Sequence, residues 1–230
     1  MTTILVTGAN RGIGLEFVRQ YVETGAEILA CCRTPAEAHD LRKLADQSRR
    51  AKLYALDVDD PKSIQALRHE LHDTPIDVLI NNAGVGGPDP QNANAIDYDQ
   101  WVTTFRVNSM APLIVAQTFR DNLRQSHAKK LITITSGLGS IANSGGGGWY
   151  GYRASKAAVN MVMHGLARDW AKDGILVGLF APGWVRTDMG GHSAPLSAEQ
   201  SVLDLRQRID ELNAKTSGKY LDHTGEQIPW

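Results

Sequence analysis

Tyr152 and Lys156 stand four residues apart in the stretch YGYRASK, residues 150–156. On a helix that spacing puts both side chains on one face, about one turn apart. A free phenol ionises near pH ~10, too high for ready proton exchange near neutrality. A lysine cation beside it favours phenolate and turns an inert tyrosine into an acid–base group. Tyr150 competes for the role, but four positions after it stands Ala154. Most Tyr-x-x-x-Lys pairs are plain helix surface, so the rest of the chain decides.

A second stretch, TGANRGIG at 7–14, follows an apolar run and opens a helical pattern. That is the context of a glycine-rich phosphate turn: Gly8 permits the bend, Gly12 lets a pyrophosphate approach the backbone, and Gly14 lets helix and strand pack closely. The helix N-terminus then offers free N–H groups to phosphate. The spacing departs from G-x-G-x-x-G, with three residues between Gly8 and Gly12. Dinucleotide folds often carry an acid after the second strand to hold a ribose 2′-hydroxyl. Here Cys32 occupies that place and Arg33 follows, with Arg11 in the first turn. A missing acid and a present cation together favour a 2′-phosphate, hence NADP(H).

These residues need a frame. Apolar runs at 4–7, 27–32, 52–58, 77–82, 131–136 and 175–180 read as strands buried on both faces. Helical patterns lie between them near 12–24, 36–48, 60–72, 98–125, 149–172 and 197–213, and 218–223 makes a last short strand. The alternation predicts an α/β fold, one doubly wound Rossmann-type parallel sheet with helices on both faces. At 230 residues, 42% hydrophobic and 21% charged, the chain suits a single domain over 1–230. Its nucleotide-binding part covers about 1–110 and its catalytic and substrate part about 111–230. Ligands of such sheets bind beyond the carboxyl ends of the strands. The net charge of −1 excludes a strongly basic nucleic-acid binder. The adjacent Cys31 and Cys32 read as buried strand thiols, and the first apolar run is too short for a signal or a membrane span. The expectation is a reduced, cytoplasmic protein with no membrane partner.

The ordered set TGANRGIG (7–14), DV (57–58), NNAG (81–84), Asn108, Ser136, YRASK (152–156) and PGWVRTDM (182–189) resembles the short-chain dehydrogenase/reductase family across essentially the whole chain. The segment from 132 to 160, TDMGG and the closing PW look most like its C-factor/sniffer-like carbonyl reductase branch. The resemblance implies roles. Tyr152 is the proton donor or acceptor. Lys156 holds the nicotinamide ribose and lowers the phenol pKa. Ser136 hydrogen-bonds the substrate oxygen, and Asn108 completes the set through a water. It also implies cofactor contacts by Gly8, Asn10, Arg11, Gly12, Ile13, Gly14, Arg33, Asp57, Val58, Asn81, Ala83, Gly84, Tyr152, Lys156, Pro182, Gly183, Val185 and Thr187. The family serine usually lies about a dozen residues before the tyrosine, which fits Ser140 better. Ser136 is preferred because it ends the strand, with the surplus looped out through the glycine run at 145–148. Pro112 gives an independent reason for Asn108: if 100–124 is helical, proline's missing N–H leaves the Asn108 carbonyl free.

Other residues are read as structure. His69 and His72 share a helix face without a third ligand, so no metal is expected. Trp101 and Phe105 read as packing; Trp149 either packs or lines the substrate pocket. The function expected is an NADP(H)-dependent oxidoreductase acting on a carbonyl or alcohol, with a small or medium uncharged carbonyl as substrate. The alternative is a dinucleotide-binding sensor or signalling protein with little turnover. A sugar-nucleotide epimerase shares the Tyr-x-x-x-Lys pair but needs a larger C-terminal domain than residues 190–230 supply. A homodimer or homotetramer through 98–125 and 149–172 is expected from the resemblance.

Overall fold

The computed structural model describes residues 2–230. Seven strands, β1 (Thr3–Thr7), β2 (Glu27–Cys32), β3 (Ala51–Ala55), β4 (Val78–Asn81), β5 (Lys130–Ile134), β6 (Leu176–Ala181) and β7 (Tyr220–Asp222), form one sheet in the order β3-β2-β1-β4-β5-β6-β7. Every pairing is parallel. The helices are α1 (Gly12–Glu23), α2 (His39–Ser48), α3 (Pro61–Glu70), α4 (Tyr98–Phe105), α5 (Ala111–Thr118), α6 (Arg120–Gln125), α7 (Tyr150–Asp169) and α8 (Ala198–Glu211).

The apolar strand runs are continuous because each strand feeds two cores. Ile4 and Val6 of β1 pack with Phe17 of α1 and Leu205 of α8. Leu5, between them, points the other way, into a core with Phe119, Val159 and Met163. This period of two, with both faces covered, marks a parallel sheet between helix layers. Each such side chain, fully buried, stabilises the fold by roughly 1.5–3 kcal/mol. Strand order reverses between β1 and β4, which opens a crevice at their carboxyl ends. The turn at 7–14, the NNAG segment and the end of β5 all meet there.

The pattern expected as one helix over 98–125 is broken. A π-helical turn, Arg106–Met110, separates α4 from α5, and Pro112 sits in the first turn of α5. There its missing N–H is not needed. Pro112 has no N–H to offer the Asn108 carbonyl four positions back, and Asn108 is also held by its side chain. The carbonyl of Pro112 itself accepts from Asn81 Nδ2 at 3.0 Å. Residues 35–37 form a short 3₁₀ turn ahead of α2, and β3 stops before Asp57.

Candidate active site

The glycine turn has the backbone its residues predict. Gly8 (φ +66°) and Gly12 (φ +54°) adopt left-handed conformations. A Cβ at Gly14 would lie 2.1 Å from the Gly8 carbonyl oxygen, so α1 and β1 approach as only glycine allows. Helix α1 carries no side-chain cap and no acid in its first turn. Its leading N–H groups thus remain available to an anion. Gly14→Ala is expected to destabilise by about 3 kcal/mol, lowering Tm by roughly 6–12 °C. Gly165→Ala, in α7 with open space at its Cβ, is the control and is expected to leave Tm unchanged or slightly raised. Thermal unfolding of the two variants checks this.

Residues far apart in sequence brace the turn. Asn82 Nδ2 donates to the carbonyls of Thr7 (2.9 Å) and Gly8 (3.1 Å). The Thr7 hydroxyl accepts from the N–H groups of Asn82 and Ala83, both at 3.0 Å. Thr187 stands against the turn, its Cγ2 3.2 Å from where a Gly12 Cβ would be. Arg11, expected near a 2′-phosphate, pairs with Asp188 at 2.7 Å across exposed surface. Such a pair is weak. Asn10 and Arg33 are exposed, and Cys32 is buried. Asp57 Oδ1 accepts from the N–H of Asp59 (3.0 Å), while Val58 packs against the core under α5. Pro182 is buried, and Gly183 (φ +83°) turns the chain after β6 against His223 and Leu196.

On α7, Tyr152 lies in the first turn and Lys156 one turn later. Lys156 Nζ is 5.7 Å from the centre of the Tyr152 ring and donates to the Ile134 carbonyl at 3.1 Å. Lys156 is 6% exposed, and burial pulls its pKa down to about 8. Burial pushes the Tyr152 phenol up, and the nearby Ser136 hydroxyl works against that shift. Ser136 follows β5 and caps the 3₁₀ turn Gly137–Gly139, its Oγ accepting from Leu138 N–H at 3.2 Å. Ser140, the alternative, is buried and donates to the Pro229 carbonyl at 2.5 Å. Asn108 Oδ1 accepts from Val85 N–H (2.9 Å), and its Nδ2 donates to the Val85 carbonyl (2.9 Å) and Ser155 Oγ (3.1 Å). Across Gly84 it faces Lys156: a Cβ there would meet Asn108 Oδ1 at 3.2 Å and Lys156 Nζ at 3.8 Å. Ser136, Tyr152, Lys156 and Asn108 are thus gathered at the carboxyl ends of β4 and β5. Trp149 takes a left-handed conformation, is half exposed, and sets its ring edge toward Tyr152 at 6.1 Å.

Residues 2–196 match the family model for short chain dehydrogenase. The chain belongs to the short-chain dehydrogenase family. Among its relatives, C-signal of Myxococcus xanthus is 42% identical over 156 residues, 68% of this chain and 93% of that protein. The 1-hydroxy-2-glutathionyl-2-methyl-3-butene dehydrogenase of Rhodococcus sp. (strain AD45) is 32% identical over 237 residues, covering 100% of both. Among solved structures, the NADPH-bound carbonyl reductase from chicken fatty liver superposes with a TM-score of 0.93 at 31% identity, covering 100% of this chain and 99% of that one. The carbonyl reductase Sniffer of D. melanogaster gives 0.89 at 29% identity, covering 100% of both. The chain is a short-chain dehydrogenase/reductase enzyme of the C-factor/sniffer-like branch.

Several residues of this dehydrogenase site were not singled out from the sequence. Asn82 and Thr7 lie inside quoted motifs, yet their bracing role needs β1 and β4 side by side. Gln91, from a segment read only as loop, accepts from Tyr152 N–H through Oε1 (3.0 Å) and from Trp149 N–H through its carbonyl (2.8 Å), fixing the start of α7. Tyr220 donates its hydroxyl to the Ser136 carbonyl. His69 on α3 and His72, in the turn just past its end, stack on each other at 6.3 Å, and the described residues hold no cluster of metal-ligating side chains. No helix among them is long and apolar enough to cross a membrane.

Proposed function

We propose that this enzyme is an NADP(H)-dependent carbonyl reductase in which Tyr152 exchanges the proton. The observation that carries the reading is the buried Lys156 cation 5.7 Å from the Tyr152 ring, with the Ser136 hydroxyl near the phenol, at the crevice that begins with the glycine turn. A dinucleotide fits these residues. Gly8, Gly12 and Ile13 leave backbone open to a pyrophosphate, and Asn10, Pro182, Gly183, Val185 and Thr187 close round it. Asp57, Val58, Asn81, Ala83 and Gly84 line the adenosine side. Exposed Arg33, with no acid at Cys32, suits a 2′-phosphate. NADPH-bound carbonyl reductase from chicken, similar over the whole chain, supports the same choice. When bound, the cofactor supplies or accepts the hydride.

The chain's own residues handle the oxygen and its proton. Ser136 Oγ donates to the substrate oxygen and stabilises its developing charge. The Tyr152 phenol, close by, delivers its proton to that oxygen in reduction and takes it back in oxidation. Lys156 places a positive charge by the phenol and reaches the ribose, and Asn108 holds the wall of the crevice opposite it. The substrate side is apolar: Leu138, Ile141, Trp149, Trp184 and Met189, before and after α7, and Tyr150 at its start are exposed. That favours an uncharged, apolar carbonyl. We further read residues 1–230 as one domain, working in the cytoplasm as a homodimer or homotetramer. Exposed Val102, Met110 and Met161 offer an apolar face for association. A signalling protein with little turnover is the second reading, favoured by the likeness to C-signal.

The test is NADPH and NADH oxidation against a panel of aldehydes, ketones and quinones. One or two charge-assisted bonds at ~1.5–3 kcal/mol each give NADPH a kcat/KM advantage of roughly ten- to several-hundred-fold. The double variant Cys32→Asp, Arg33→Ala is expected to reverse the direction of preference. No turnover with any substrate would favour the signalling reading, and a wild-type preference for NADH would overturn the role of Arg33.

A further inference from the structure

The loop that carries Ser136 is not held by the sheet. The last ladder-type bond after β5 is Thr135 N–H to the Phe180 carbonyl, at 2.9 Å. Beyond it the Ser136 carbonyl has left the strand pairing and accepts from Gly139 N–H at 2.9 Å within the 3₁₀ turn. A second donor, which ties that turn to the sheet, is the hydroxyl of Tyr220 on β7. Tyr220 is 0% exposed. Its ring is covered by Trp230, stacked at 5.5 Å and 23°, and Trp230 in turn meets His164 edge-on at 5.1 Å. The same terminal segment grips the loop further on. The Trp230 carbonyl accepts from Ala142 N–H at 2.8 Å, and Ser140 Oγ donates to Pro229. The Asn160 amide faces the Tyr220 oxygen without reaching good hydrogen-bond geometry.

We infer that Tyr220, clamped by Trp230, is a positioning residue that aims Ser136 at the Tyr152 phenol and the substrate oxygen. The inference rests on the carbonyl reductase reading and adds a residue to it. Fixing the Ser136 carbonyl fixes the peptide plane next to its Cα, and with it the direction from which Oγ reaches out. A free loop at this point would let Oγ wander by the ångström or so that separates a working donor from an idle one. Burial pushes the Tyr220 phenol up to about 12, with nearby Asn160 opposing and Tyr152 adding to the shift. Tyr220 thus remains a neutral donor near neutrality.

Tyr220→Phe keeps the ring and its stack on Trp230 and removes only the donor. With NADPH and an aromatic aldehyde or quinone that the wild type reduces, kcat is expected to fall on the order of tenfold while the NADPH Kd stays unchanged. In a Ser136→Ala background the same substitution is expected to change kcat little, because no hydroxyl is left to aim. Trp230→Ala, at a half-exposed position, is expected to act in the same sense and likewise only when Ser136 is present. An unchanged kcat in Tyr220→Phe would overturn the inference. So would an equal loss in both backgrounds, or a loss that tracks weakened cofactor binding, since each marks general support of the fold. If Tyr220→Phe does not fold, the Trp230→Ala pair decides by the same comparison. A wild type that reduces none of the probes overturns the carbonyl reductase reading and this inference with it; an active wild type indifferent to these substitutions overturns the inference alone.

Discussion

Tyr152→Phe is expected to lower kcat by about 10²–10⁴-fold, the usual contribution of a positioned general acid. The substitution removes one oxygen from a side chain that is already half buried in the first turn of α7. The ring still meets Trp149 edge-on and still lies 5.7 Å from the Lys156 ammonium. Folding and cofactor affinity should therefore change little, which separates proton transfer from binding. Ser136 remains in place as a hydrogen-bond donor, so a residual rate is expected. Tyr150→Phe is the internal control. Tyr150 is 39% exposed at the helix start, no lysine follows it at one turn, and little change is expected. Steady-state kinetics of both variants, with NADPH affinity by titration, make the check. A damaging Tyr150 change with a mild Tyr152 change would reassign the acid.

The contrast between these two tyrosines shows what the chain discloses on its own. The spacing of Tyr152 and Lys156 on one helix is local, and local spacing is legible. So were the strands, because runs such as 27–32 are apolar throughout only if both faces are covered. Gly14 was legible for the same reason: its close approach involves Gly8, six positions away in the same turn. What stayed hidden depends on neighbours that the strand order creates. Asn82 braces the glycine turn only because β4 lies next to β1. Tyr220 reaches Ser136 across 84 residues because β7 brings it alongside β6. The pairing of Arg11 with Asp188, 177 residues away, was hidden for the same reason. The π turn before Pro112 could not be read from a helical period, since a single wide turn is too short to set a period of its own.

Lys156→Met is expected to abolish useful turnover and at the same time raise the thermal stability of the cofactor-free protein. Lys156 is nearly fully buried, and its one hydrogen bond among the described residues is to the Ile134 carbonyl at 3.1 Å. No carboxylate neutralises it, and burial alone takes its pKa from 10.5 to about 8. The sign follows from proton binding. Below pH ~8 folded and unfolded chains both hold the proton, and the folded state bears the full penalty of a buried cation. Between pH ~8 and ~10.5 the folded state releases the proton while the unfolded state keeps it, so stability rises with pH. At neutrality the penalty is about 3 kcal/mol at most, from 1.36 kcal/mol per pKa unit. Methionine fills nearly the same volume without the charge. The variant is therefore expected to gain several degrees in Tm at pH 7, less the bond lost at Ile134, and the gain is expected to shrink toward pH 10. Function runs the other way. The cation that burial makes costly is the one positioned for the ribose and the phenol, so kcat should drop by at least about 10²-fold and NADPH affinity should weaken. Thermal unfolding at pH 7 and pH 10, together with NADPH titration, measures both sides. A lower Tm for the variant at pH 7 would show that Lys156 is a structural cation after all, and full NADPH affinity would leave it only an electrostatic part beside Tyr152.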